Sequence, residues 1–354
     1  MRLFLVGGFL GSGKTTAITT ACKILSKEKA RVAVITNDQG SQLVDAAFVK
    51  SLNFSTREVT NGCFCCNYEQ FTVAIEHVGV SMPDIIFAEA VGSCADLVAT
   101  IVKPMKRLKP AIGINLSVFA DGPVLLSSLE GRSSFINEDI QYIYKKQLEE
   151  AAIIIVNKSD LLNEQQMDLM RLMLKNEYPG KRVLFQNSFD EQAVKEWLDS
   201  ARAAQAGEFQ SLNIDYERYA RGEAALGWLD ALVSIHVRGQ AVNKSLEFIN
   251  QMVGSICRLH MPVGHLKFMV EAAGWRQKIS FTNCEQLSTN RETNGRAVDR
   301  ATVLINARVE ADPTQLKRIF YEGIRKIEAQ NCDVEVLRLD SFRPGYPKPT
   351  HRLA

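Results

Sequence analysis

Gly8-Phe9-Leu10-Gly11-Ser12-Gly13-Lys14-Thr15 places two glycines five residues apart, followed by a lysine and a hydroxyl. That spacing suits a polyphosphate. Glycines let backbone N–H groups curl around phosphate oxygens, and a helix N-terminus behind them adds positive charge. Gly8, Gly11, Ser12, Gly13 and Thr16 are therefore candidate phosphate contacts. Lys14 is a cation for the β- and γ-phosphates, and Thr15 is a hydroxyl for Mg²⁺. A second group, Asn157-Lys158-Ser159-Asp160, reads as base recognition. The Asp160 carboxylate can accept from N1–H and the 2-amino group of guanine, whereas adenine would leave it desolvated and unpaired. Lys158 would pack its stem along the base, and Asn157 would tie loops together.

Asp38 and Glu89 are the acidic candidates beside the γ-phosphate. Either can hold Mg²⁺ or orient the attacking water, and the sequence leaves open which does which. With Lys14 they form the candidate catalytic set. Gly92 would let a backbone N–H approach the γ-phosphate, so this loop is expected to sense GTP against GDP. No arginine stands out as a built-in finger, so unaided hydrolysis should be slow.

Cys63, Cys65 and Cys66 put three thiols within four residues. Thiolates favour Zn²⁺ and softer cations, while Mg²⁺ prefers oxygen. On a strand Cys66 would face away from the other two, so a shared metal needs a backbone turn, which Gly62 permits. A fourth ligand must come from elsewhere in the chain, or be water or a partner's side chain; Cys94 is a possible extra ligand, although packing is its commoner use. Such an open site suits transfer of a metal.

These motifs need a frame. Apolar runs at residues 3–6, 32–36, 84–88, 112–118, 153–156 and 182–185 alternate with helical stretches such as 16–27, 137–150 and 164–175. Continuous rather than alternating apolar strands predict a parallel sheet covered on both faces. The expected fold is a doubly wound α/β domain over residues 1–205, with ligands at the carboxyl ends of its strands. The phosphate loop, the Asp38 and Glu89 segments and the 157–160 motif each follow a strand, and the thiols lie between the Asp38 loop and the Glu89 strand. Residues 206–225 read as a linker. Residues 226–342 show the pattern strand, helix, strands, helix, strand, and predict a smaller ferredoxin-like α+β domain. Residues 343–354 read as an extended, loosely held tail, and 283–300 as a polar loop. His236, His260 and His265 have no second ligand at close spacing.

In the whole chain of 354 residues, 46% are hydrophobic and 42 basic residues face 40 acidic ones. A net +2 without basic runs gives no electrostatic case for nucleic acid or a membrane surface. The eight cysteines are not spaced as a secreted disulfide framework. The expectation is a soluble, cytoplasmic protein.

GFLGSGKTT at 8–16, ND-G at 37–40, GCFCC at 62–66, E-x-x-G at 89–92 and NKSD at 157–160 together resemble the CobW-type branch of the SIMIBI-class P-loop GTPases. These include the urease and hydrogenase nickel-insertion GTPases. The resemblance implies a GTPase (GTP to GDP and phosphate) with GTP/GDP and Mg²⁺. Its thiols would bind a transition metal, Zn²⁺ first with Co²⁺ or Ni²⁺ as alternatives, in the GTP-bound state. The metal, or a cobalt-containing corrinoid, would pass to a client metalloenzyme or corrinoid protein, and a nucleotide-dependent homodimer is compatible with that. Ser41 in place of an acidic residue, the Glu-Ala-Val-Gly loop and the lack of a His-rich stretch mark a divergent subgroup. One alternative is a GTPase switch that assembles or reactivates a corrinoid-dependent enzyme, with structural or redox thiols. Another is a small-molecule kinase, for which neither an acceptor pocket nor a cationic lid is evident.

Overall fold

The computed structural model describes residues 1–39, 44, 54–132, 135–203, 209–282, 284 and 297–354. Two compact units are distinguished. One comprises Met1–Gln39, Val49–Gly222 and Tyr346–Ala354; the other comprises Glu223–Gly345, with Val44 joined to it.

In the first unit the chain runs β1 (Arg2–Gly8), α1 (Lys14–Lys27), β2 (Val32–Asn37), β3 (Ser55–Val59), α2 (Tyr68–Gly79) and β4 (Ile85–Glu89). A π-helical turn (Val98–Val102) leads into α3 (Lys103–Leu108). Then follow β5 (Gly113–Asp121), α4 (Gly122–Leu129), α5 (Glu138–Glu150), β6 (Ile153–Asn157), α6 (Glu164–Glu177), β7 (Arg182–Gln186), α7 (Glu191–Ala203) and α8 (Tyr216–Ala225). The seven strands form one sheet in the order β3-β2-β4-β1-β5-β6-β7, parallel throughout. β4, β6 and residues Leu3–Gly8 of β1 are wholly buried, which is why they read as unbroken apolar runs. The edge strand β3, Ser-Thr-Arg-Glu-Val, alternates in burial and carries no apolar run, so sequence patterning passes it over. Trp197 of α7 sits fully buried against Phe87 and Phe119 and donates from Nε1 to Ser117 Oγ at 3.0 Å. It fixes α7 against the sheet beside α1.

The second unit contains β8 (Leu226–His236), α9 (Ala241–Arg258), β9 (Val263–Ala272), β10 (Trp275–Phe281), β11 (Arg300–Glu310), α10 (Pro313–Glu328) and β12 (Asp333–Phe342). Its antiparallel sheet has the order β10-β9-β11-β8-β12. Without the edge strand β10, that is the βαββαβ ferredoxin-like arrangement expected from the sequence. Burial alternates over Asp333–Leu337 of β12, and no residue of that edge strand is fully buried. Inside it Arg308 and Asp230, 0% and 2% exposed, form an ion pair at 2.6 Å. Asn306 donates to the same Asp230 carboxylate and accepts from Val44 N–H. Cys257 and Cys284 are joined as a disulfide, a pairing that their spacing in sequence did not reveal.

Two expectations change in the fold. Residues 216–225 are helical rather than a featureless linker, and Arg218 and Arg221 of that helix pair with Asp139. The tail is extended but firmly tied, as described below. The loop at 283–300 lies mostly outside the described residues. No described helix is long and apolar enough to cross a membrane.

Candidate functional site

β1 ends in the glycine loop, and α1 begins at Lys14. Gly8, Gly11 and Gly13 take φ of 120°, 75° and 89°, which keeps the loop wrapped and its amides directed inward. Ser12 is buried, its hydroxyl donating to Phe9 O; Thr16 is half-buried on the first turn of α1. Lys14 is also buried, and its ammonium donates to Gly8 O at 2.7 Å and Phe9 O at 3.0 Å. Thr15 Oγ1 donates to Glu89 Oε1 at 2.8 Å. Adjacent parallel strands β1 and β4 bring this hydroxyl and carboxylate together across 74 residues of sequence. Two oxygen donors so held fit a hard, octahedral cation such as Mg²⁺. Asp38, directly after β2, is half-buried, and its N–H bonds to Val59 O. Gly92 packs so closely on the phosphate loop that a Cβ there would lie 2.6 Å from Leu10 Cδ2.

Asn157 at the end of β6 donates to Ser12 O at 2.7 Å, while its Oδ1 accepts from the backbone and hydroxyl of Ser188. Lys158 takes φ 59° and pairs with Asp121, the N-cap of α4. Asp160 is exposed on the 3₁₀ turn Ser159–Leu161. The 157–160 motif therefore lies at the mouth of the phosphate loop. Ser188 and Asp121 were not singled out from the sequence, because neither belongs to a spaced motif.

The thiols lie on the turn between β3 and α2. Asn61 and Gly62 take φ 61° and 148°, and a Cβ on Gly62 would strike Asn67 Nδ2 at 2.5 Å. Cys63 O then accepts from both Cys66 N–H and Asn67 N–H, closing the turn. Cys63 Sγ lies 2.8 Å from Cys65 Sγ, Cys65 Sγ lies 3.9 Å from Cys66 Sγ, and all three sulfurs fall within 4.8 Å of one another. A tetrahedral zinc with Zn–S bonds of about 2.3 Å needs sulfurs about 3.8 Å apart. The triangle can accept such a cation by opening one pair by about 1 Å. Hydrogen bonds from Cys65, then Cys66 and Cys94, hold the Cys63 thiol well below its ordinary range. Its bond to Cys63 holds Cys65 above that range, and Cys66 is pushed up to about 11, chiefly by Cys63. The cluster thus favours a thiolate at Cys63, the form in which a cysteine binds a thiophilic cation.

Two connections join thiols to phosphate loop. Asn37, beside Asp38, donates to Val59 O and Gly62 O and accepts from Phe64 N–H, so it grips both sides of Cys63. The segment after β4 carries Glu89, Gly92 and Cys94 in turn, with Gln147 of α5 donating to Gly92 O and Cys94 O. Cys94 is buried, as packing would have it, and its thiol is also within hydrogen-bonding reach of Cys63 and Cys65.

The tail crosses the same turn. Lys348 N–H donates to Cys66 Sγ at 3.3 Å, Thr350 N–H to Cys65 O at 2.8 Å, and His351 meets Tyr68 edge-on. Arg352 pairs with the buried Asp96, and Leu353 N–H donates to Ala99 O. Tail residues carry no spacing signal toward a motif 280 positions away, so sequence could not nominate them.

A parallel sheet with a glycine loop at the end of β1 defines a P-loop nucleotide-binding protein. The chain belongs to the CobW/HypB/UreG family, whose nucleotide-binding domain matches residues 2–185. It is 25% identical over 209 residues to the zinc chaperone CobW of Pseudomonas aeruginosa, covering 50% of this chain and 53% of that protein. It is 24% identical over 218 residues to the zinc-regulated GTPase metalloprotein activator 1 of Dictyostelium discoideum, covering 51% and 44%. The chain spans about half the length of the curated relatives it matches. Among solved structures, HypB from Archaeoglobus fulgidus superposes with a TM-score of 0.41 at 16% identity, over 57% of this chain and 89% of that one.

Proposed function

We propose that this protein is a GTPase metallochaperone that binds zinc at Cys63, Cys65 and Cys66 in its GTP-bound state and yields it to a client metalloenzyme after hydrolysis. The observation that carries the reading is the Asn37 clamp. One side chain next to a γ-phosphate candidate, Asp38, holds the backbone on both sides of Cys63. Any change that the third phosphate imposes at the end of β2 is thereby felt at the thiols.

In this reading Gly8, Gly11, Ser12, Gly13 and Thr16 hold phosphates, and Lys14 exchanges two backbone carbonyls for phosphate oxygens. Asn157, Lys158 and Asp160 select guanine. Thr15 with Glu89 or Asp38 would hold Mg²⁺, which supplies charge neutralisation at the phosphates. The second carboxylate orients water. Zinc is cargo. The names of the relatives support zinc over Co²⁺ and Ni²⁺, and the sulfur donors agree with that choice. A corrinoid enzyme is the narrower client reading and rests on resemblance alone.

The test is zinc affinity with a non-hydrolysable GTP analogue and with GDP, by competition with a chromophoric chelator. The expected result is tighter binding with the analogue by about 5–150-fold, the range of a 1–3 kcal/mol coupling. Equal affinities would sink the proposal and leave a plain nucleotide switch.

A further inference from the structure

Three sulfurs leave one corner of a tetrahedron open, and a fourth sulfur already stands beside them. Cys94 is 1% exposed and is not in a disulfide. Its thiol lies within hydrogen-bonding reach of both Cys63 and Cys65. It stands outside the tighter triangle that Cys66 completes. A thiol beside the Cys63–Cys65 pair can supply a fourth ligand once that pair spreads toward the spacing zinc requires.

Its backbone is held on several sides. Cys94 N–H donates to Val91 O, Gln147 Nε2 donates to Cys94 O at 2.8 Å, and the next amide, Ala95 N–H, donates to the Tyr219 hydroxyl. Gln147 is itself 1% exposed. Packing alone does not ask for sulfur in such a place. Cys22 illustrates the ordinary buried thiol, set on α1 in the apolar core with Ala21, Ile18 and Leu25. Cys94 instead faces sulfurs. At Cys66, the Lys348 N–H that donates to its Sγ supplies the outer hydrogen bond that steadies a thiolate ligand.

We propose that Cys94 is the fourth thiolate of the site, so that the zinc cargo is held by Cys63, Cys65, Cys66 and Cys94. This inference rests on the metallochaperone reading and deepens it. Because Cys94 follows Glu89 and Gly92 on one short segment, the ligand that closes the tetrahedron is carried by the loop that meets the phosphate site. Withdrawing that one sulfur converts a closed tetrathiolate into an open site from which a client thiolate can take the ion. The exchange is balanced: the client sulfur forms a zinc bond as Cys94 leaves, and Cys94 regains a proton from water.

The test uses the full chain with a GTP analogue and one equivalent of zinc. X-ray absorption at the zinc edge of the wild-type protein should count four sulfurs; three sulfurs and one lighter atom would overturn the proposal. Cys94→Ala should weaken zinc binding by at least the roughly 10–100-fold that even outer ligand changes cost. In the Co²⁺-loaded form, thiolate charge-transfer intensity should fall by about one quarter, one sulfur of four. Cys22→Ala serves as the control for loss of a buried thiol, and circular dichroism of both metal-free variants reports folding. Unchanged affinity and spectrum in a folded Cys94→Ala protein would overturn the assignment. Wild-type protein that binds no zinc in any nucleotide state overturns the metallochaperone reading as well. Zinc held without Cys94 overturns this inference alone.

Discussion

Glu150 ends α5 fully enclosed, its Oε2 accepting from Val98 N–H at the start of the π turn. Burial pushes its carboxyl up to about 8, against the N–H groups that favour the anion. Its folded pKa therefore lies above the unfolded value near 4.5. Between the two the folded state binds the extra proton, so stability is greatest below the unfolded pKa. It declines as pH rises toward 8, by several kcal/mol on the order of 1.4 per pKa unit. Glu150→Gln keeps the acceptor for Val98 and removes the titration. The expected result is a melting temperature that varies less between pH 5 and 8 than in the wild type, measured by calorimetry without nucleotide. A variant whose pH profile parallels the wild type would show that Glu150 does not carry this effect.

At the scale of elements, the tail is the feature that changes the picture of the site most. Six residues, Lys348 to Leu353, satisfy backbone groups at Cys65, Ala99 and the Cys66 sulfur. Cys66 is the thiol of the three with partial exposure, and the tail lies over it. Lys348→Pro sits between Pro347 and Pro349, preserves an extended backbone and removes the donor to Cys66 along with the lysine side chain, whose loss Lys348→Ala controls for. Its reaction with a disulfide reagent should speed up about tenfold, the equivalent of roughly one hydrogen bond. Truncation after Gly345 should speed it further, at some cost in stability, because Asp96 at 1% exposure then loses Arg352. Unchanged labelling in both variants would mean that the tail does not guard the thiols.

For the whole molecule the governing relation is linkage. If GTP tightens zinc binding, zinc must tighten GTP binding by the same factor. Fluorescent GTP-analogue titrations with and without zinc should return the ratio found from the metal side. Asn37→Ala should bring both ratios toward one, since it removes the grip on Gly62 and Phe64. The variant takes the Asn37 partner from Gly62 O and Phe64 N–H, at about 1–3 kcal/mol each, so it is compared at low temperature. Ratios that remain large would place the coupling in the Glu89–Cys94 segment instead.

What the sequence determined by itself is local and periodic. The glycine loop, the three clustered thiols and the base-recognition motif are contiguous, so their spacing is visible in the chain. The buried strands betray themselves as apolar runs because both their faces are covered. The order of β-α alternation was enough to place the phosphate loop, Asp38, Glu89 and the 157–160 motif at strand ends. Only the tertiary structure decided the rest. β3 is an edge strand with one wet face, and composition alone does not mark it. Thr15 meets Glu89, and Asn37 grips the Cys63 turn, because parallel strands align residues far apart in the chain. Cys94 and the tail reach the thiols by long-range packing that leaves no period in the sequence. A lone cysteine and a proline-flanked terminus look the same whether they pack or act. Their meaning lies in what the fold sets beside them.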